Sequence, residues 1–173
     1  MKTQPHDHPV FRIVAVLAVV ALTSVACSLN LSQGSTFGPV IDITIDQDTF
    51  DNMSVNSNLQ LGKHCRDYAH VNSVDLHDGF IRILVTKDMP DGSEVDGSLD
   101  FFIGEEQGVL VGRITTVDIP GLTLTDRCII ETNEELKFAL AHMLVSVPGD
   151  VVFKEVVLEE GVLRMKLQVL LQD

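Results

Sequence analysis

The sequence predicts an α+β domain in which a curved antiparallel sheet of about six to seven strands packs on a central helix. Three observations carry this prediction. Apolar residues alternate with polar ones in several short segments, as they do in half-buried strands. Glycines stand between such segments, where a hairpin turn needs a positive φ. One longer segment has the apolar spacing of a buried helix.

The strands are predicted from this alternation. In VIDITID, residues 40–46, isoleucines alternate with aspartate and threonine, which is the period of a strand with one buried face. A short helix is predicted next, around 47–58. Three hairpins follow, each with a glycine at its turn: they turn at 77–79, at 105–108 within 98–119, and at 159–161 within 151–171.

The central helix is predicted over 133–146. Thr132 and Glu135 have the spacing of a capping box, in which each side chain satisfies a donor of the first turn. Apolar residues occur on every side of this segment, among them Leu136, Phe138, Leu140, Ala141 and Met143. A helix that is apolar all round is expected to be buried.

Two segments of the chain resemble each other. VDLHDGFIRI (74–83) and VLEEGVLRM (157–165) align with Gly79 over Gly161, and both follow a predicted helix. A unit of one helix and one hairpin is therefore predicted to occur twice, with the middle hairpin between the copies. The alternative is a chance alignment of two amphipathic hairpins.

Residues 1–26 have the features of a signal peptide. Lys2 and Arg12 make the beginning positive, and 13–26 carry no charge, which is the length of an apolar core with its cleavage region. A membrane-spanning helix would need about 20 apolar residues.

The residues before Cys27 resemble the lipobox of bacterial lipoproteins. They are Ser24, Val25 and Ala26, and Ser24 stands where that motif usually has leucine. The resemblance implies cleavage before Cys27, a lipid on its thiol and a protein anchored outside the cytoplasm to the cell membrane. The alternative is an ordinary secretory signal with an incidental cysteine.

The remaining chain divides into a tether and one domain. Residues 27–38 are small and polar, as in a lipidated flexible tether, and 39–173 have the length of a single domain. After Ala26 the chain holds twenty-four acidic side chains against ten Lys and Arg. Such a negative surface repels nucleic acid, which is therefore not an expected partner.

Lipidation of Cys27 would leave Cys65 and Cys128 as a pair in an oxidising compartment, where a disulfide between them is expected. Two free buried thiols are the alternative.

No residue set indicates catalysis or a cofactor. His64, Cys65, His70 and His77 fit no closed zinc spacing, and the acidic stretch 88–100 lacks the alternating ligands of a calcium loop. No nucleophile elbow or phosphate loop occurs. We therefore expect a protein that is not an enzyme and that holds no metal.

The order of elements is similar to that of small cell-envelope proteins of the tubular lipid-binding type. This resemblance implies that the domain binds a lipid or another apolar ligand. The candidate lining residues come from the middle hairpin and the central helix: Phe101, Phe102, Leu136, Phe138, Leu140 and Met143. Two alternatives stay open. One is a structural or protein-interaction domain with a closed core and an unknown partner, and the weaker one is a hydrolase or metal-dependent enzyme.

Overall fold

The computed structural model describes residues 38–54, 58–60, 68–142 and 150–170. The predicted signal peptide, Cys27, the predicted tether up to residue 37, Cys65 and Met143 lie outside these ranges. The described chain is α+β, as predicted. Its elements are β1 (Val40–Asp46), α1 (Gln47–Ser54), β2 (Asn58–Gln60), β3 (Tyr68–His77), β4 (Phe80–Asp88), β5 (Glu94–Glu106), β6 (Val109–Asp118), α2 (Arg127–His142), β7 (Asp150–Glu159) and β8 (Val162–Leu170).

The prediction of one curved sheet of six to seven strands on a central helix is wrong. The strands form two antiparallel sheets, one in the order β1-β8-β7 and one in the order β2-β3-β4-β5-β6. Alternation within a strand shows which face is buried but not which strand lies beside it. The three-stranded sheet depends on a pairing between residues far apart in the sequence, since Val40 lies opposite Gln168.

Helix α2 is not central and is not buried on all sides. It begins at Arg127, and the Thr132 hydroxyl lies inside it and donates to the Cys128 carbonyl at 2.7 Å. The predicted capping box is therefore wrong. One stripe, with Ile129 and Leu140, is buried, whereas Phe138 is 67% exposed. The helix covers strand β6 with one face and presents the other to the surface.

The buried side chains of both sheets and both helices form one hydrophobic cluster. Along β8, Leu163, Met165 and Leu167 are buried, while Arg164 is exposed. The alternation of apolar and polar residues in this strand therefore corresponds to one buried and one outward face. Burial of such side chains contributes about 1.5–3 kcal/mol each relative to exposure.

The turns predicted at Gly79 and Gly161 are confirmed, since each glycine lies in the turn between two paired strands, with φ of 81° and 73° respectively. The two turns also contact each other. Gly79 N donates to the Leu158 carbonyl and Gly161 N donates to the Leu76 carbonyl, each at 3.0 Å. Because Leu76 aligns with Leu158, these bonds are reciprocal. The two predicted copies meet turn to turn, although their hairpins belong to different sheets.

Helix α1 begins directly at the end of β1. The Asp46 carboxylate accepts from the Thr49 hydroxyl at 2.6 Å and from Thr49 N at 2.9 Å, as a helix-capping aspartate does. The bond from the hydroxyl is the main reason why the pKa of Asp46 lies below its usual value. Gln47 N donates to the Gly161 carbonyl at 2.9 Å, which ties the helix to the last turn.

A branched side chain at either turn glycine should destabilise the domain. We expect Gly79→Val and Gly161→Val each to lower the free energy of unfolding by about 1 kcal/mol or more, because L residues at positive φ are strained. Urea denaturation measures the change. Glu159→Val adds the same side chain at an exposed strand position and should cost less than about 0.5 kcal/mol. Equal effects of all three variants would contradict the turn argument.

Candidate functional site

A groove of about 410 Å³ lies on the three-stranded sheet. It is lined by nine residues of β1, β7 and β8: Asp42, Ile43, Thr44, Glu155, Val157, Glu159, Arg164, Met165 and Lys166. In register, Asp42 lies opposite Lys166, and Lys166 lies opposite Glu155. The charged side chains of the groove therefore lie on one face of this sheet, opposite the face that Leu163 and Leu167 bury.

The charges in the groove alternate in sign across the strands. Lys166 Nζ lies 3.1 Å from Glu155 Oε2, and Arg164 Nε lies 3.3 Å from Glu159 Oε2. The hydrogen bond to Glu155 is the main cause of a raised pKa of Lys166, and Asp42 adds a smaller effect. These ion pairs are largely exposed, so each contributes little to stability. Their ordered charges can instead orient a polar partner.

The structure places only some of the candidate lining residues together. Phe101, Leu136 and Leu140 are buried in the hydrophobic cluster. A Cβ on Gly112 would lie 2.5 Å from Phe101 Cζ and 2.6 Å from Leu140 Cδ1. The helix and the middle hairpin therefore meet in direct contact at this point.

The other candidates lie elsewhere. Phe102 points to the opposite face from Phe101, as two adjacent strand residues must, and its ring centre lies 4.7 Å from the guanidinium carbon of Arg113. Phe138 lies on the surface side of α2. Met143 falls outside the described residues.

The contact at Gly112 gives a stability prediction. We expect Gly112→Ala to lower the free energy of unfolding by about 1–3 kcal/mol, because the added methyl group would overlap the Phe101 ring and the Leu140 side chain. Thermal or urea denaturation measures this loss. Shortening Leu140 to alanine should offset part of it, so the double variant should be less destabilised than the sum of the single ones. An unchanged stability of Gly112→Ala would indicate open space between helix and sheet.

An ion pair crosses the outer face of the five-stranded sheet. Arg82 Nε and Nη2 donate to the two carboxylate oxygens of Asp100 at 2.8 and 3.0 Å. The Asp100 side chain is 11% exposed and that of Arg82 is 41% exposed. The Arg82 hydrogen bonds are the main cause of a pKa of Asp100 below its usual value of 3.8. This pair joins β4 to β5 and contains no group that is poised for proton transfer near neutral pH.

The Asp100 pair should make stability depend on pH. Because the pKa of Asp100 is lower in the folded protein, its contribution is present above pH 3.8 and is lost as the pH falls through the folded value. We expect Asp100→Asn to lower the free energy of unfolding at pH 7 by about 1–3 kcal/mol. The difference from wild type should shrink below pH 4, as urea denaturation at several pH values would show. A difference that is constant between pH 7 and 3 would contradict this.

Neither the described geometry nor known proteins assign a function directly. No family model, curated protein or solved structure matches this chain. Neither described helix is long and apolar enough to cross a membrane. In the described ranges, no three His, Cys, Asp or Glu side chains are placed to hold a metal ion, and His64 and Cys65 lie outside those ranges.

Sequence reasoning missed the groove. The outward residues of β1 and β8 were recognisable from alternation, but the pairing that sets Asp42 beside Lys166 was not. The opposite charges of the two outward faces were the available signal, because opposite charges favour cross-strand pairing.

Proposed function

We propose that this chain is an exported lipoprotein, anchored through Cys27, whose domain is a non-enzymatic protein-interaction module. The observation that carries the proposal is the direct packing of Phe101 and Leu140 on Gly112. Three of the six candidate lining residues, Phe101, Leu136 and Leu140, belong to the hydrophobic cluster, and this supports a packed core over a ligand site between the helix and the middle hairpin. The groove offers an ordered polar surface instead.

The leader and the charge support the proposed location. The residues before Cys27 resemble a lipobox, and two or three acyl chains would hold the protein stably on a membrane. The excess of acidic side chains after Ala26 keeps the domain away from anionic headgroups. A polar groove on such a domain would face soluble or membrane-bound proteins outside the cytoplasm.

Binding of a lipid or another apolar ligand is the second candidate. It is favoured by the exposure of Ile130 and Phe138 on the surface side of α2, and by the resemblance to envelope proteins of the tubular lipid-binding type. A ligand on this surface would contact α2 and would not enter the hydrophobic cluster.

Two measurements separate the candidates. A photo-crosslinking amino acid at Thr44, in the groove, should yield protein adducts in cells, and the same probe at exposed Glu94 on the other sheet should not. Native mass spectrometry of the exported domain 39–173 should show no bound lipid. Stoichiometric lipid with no adduct at Thr44 would instead support the second candidate.

A further inference from the structure

Strand β7 forms one edge of the three-stranded sheet, and two hairpin turns contact it. Phe153 N donates to the Gly108 carbonyl at 2.9 Å, and the Leu158 carbonyl accepts from Gly79 N at 3.0 Å. A Cβ on Gly108 would overlap Val152 Cγ1, so the middle turn lies directly against the strand. Backbone groups of β7 that could pair with another chain are thus partly occupied.

Strand β6 forms an edge of the five-stranded sheet, and helix α2 covers it. Ile114 N donates to Asn133 Oδ1 at 2.7 Å. A side chain of the helix therefore satisfies a backbone group that would otherwise be open to a further strand.

Strand β1 forms the other edge of the three-stranded sheet, and its outward backbone groups differ from those of β6 and β7. Val169 N donates to the Pro39 carbonyl at 3.1 Å, and in this register every second residue from Pro39 bonds to β8. The backbone N–H and C=O groups of Val40, Asp42 and Thr44 therefore point away from β8. Among the described residues, no strand pairs with that side of β1.

The charges beside this edge indicate which side chains a strand paired with β1 would need. Across the sheet, Glu155, Lys166 and Asp42 form a row that alternates in sign, so the next position beyond Asp42 favours a positive side chain. Segment 40–54 holds four aspartates and no Lys, Arg or His. A second copy of the chain would bring two such acidic segments together, which disfavours self-pairing.

We propose that the open edge of β1 binds an extended segment of another protein in which Lys or Arg alternates with apolar residues. The proposal rests on the protein-interaction function and names its site and partner chemistry. The basic residues would face Asp42 on the groove side, and the apolar ones would continue the row of Ile41 and Ile43 on the other face. Main-chain hydrogen bonds would supply affinity and the alternate side chains specificity.

The test uses the full mature lipoprotein in neutral detergent and a fluorescent heptapeptide, Lys-Val-Lys-Val-Lys-Val-Lys. We expect saturable binding by fluorescence anisotropy, with slower hydrogen exchange at the Asp42 and Thr44 amides. A peptide of the same composition with four Lys followed by three Val should bind about tenfold more weakly or worse, since it lacks the alternation. Equal binding of the two peptides would overturn the proposal.

Variants locate the site. Thr44→Pro removes an outward N–H that β8 does not use, and Pro is tolerated at such edge positions; we expect at least about a tenfold loss of affinity. Thr44→Val changes the side chain but keeps the N–H, and should lose much less affinity than Thr44→Pro. Asp42→Asn should weaken binding by about two- to fivefold, whereas Glu94→Gln on the other sheet should not change it. A folded Thr44→Pro variant with wild-type affinity would overturn the assignment to β1.

Two further outcomes are informative. Self-association of the lipoprotein that Thr44→Pro abolishes would make a second copy the occupant and overturn the proposed partner. Photo-crosslinks at Thr44 without peptide binding would overturn strand addition but leave the interaction function intact. If neither photo-crosslinks at Thr44 nor peptide binding were found, the proposed interaction function would be overturned as well.

Discussion

Removing the predicted disulfide between Cys65 and Cys128 is expected to lower the free energy of unfolding by about 4 kcal/mol. The bond would close a loop of about sixty residues, and its main effect in the chain-entropy account is to restrict the unfolded chain. Domains of this size have total stabilities of about 5–15 kcal/mol, so the loss would be severe. Cys128 is 6% exposed and Cys65 lies outside the described residues, so their pairing stays a prediction.

A set of variants tests the pairing. Urea denaturation of Cys65→Ser, Cys128→Ser and the double variant should give nearly equal stabilities, because either substitution alone already breaks the bond. Reducing agent should destabilise the wild type but none of the variants. Additive losses in the double variant, or labelling of both thiols in the native exported protein, would show that the two cysteines are not joined.

The second large effect concerns the anchor. Cys27→Ser should leave the precursor without lipid, so that the domain is released from membranes or kept as the uncleaved precursor. Metabolic labelling with a fatty acid, followed by membrane fractionation, measures this directly. Cys65→Ser is the matched control and should be labelled and anchored like wild type. A Cys27→Ser protein that takes up as much fatty acid as wild type would end the lipoprotein interpretation.

The parts of the fold that depend on local pattern could be predicted from the sequence. The three glycine turns and the buried face of β8 follow from the positive φ at Gly79 and Gly161 and from strict alternation. The start of α2 could not be predicted in the same way. Thr132 has the spacing of a cap but bonds back to Cys128 inside the helix, because the burial of Ile129 one turn earlier extends the helix towards Arg127.

The division into two sheets was beyond local pattern. Leu163 would be a buried strand residue whether the strands formed one sheet or two. Its pairing with Ile45, which places β8 beside β1, becomes visible only in the structure. The candidate site was missed for the same reason. Leu140 has the hydrophobicity of a ligand contact and of a core residue alike, and its approach to Gly112 becomes visible only in three dimensions.

The pairing of β1 with β8 also constrains the order in which the chain can fold. Hairpins β3–β4 and β5–β6 consist of neighbouring segments and can close early, since short loops cost little entropy. The three-stranded sheet needs Val40 to meet Gln168, so it must wait until nearly all of the described chain is available. Folding should therefore be slow relative to helical domains of similar size. A chain that crosses a membrane from its N-terminus would hold β1 unpaired until β8 emerges, and during that interval β1 would be open to chaperones and proteases.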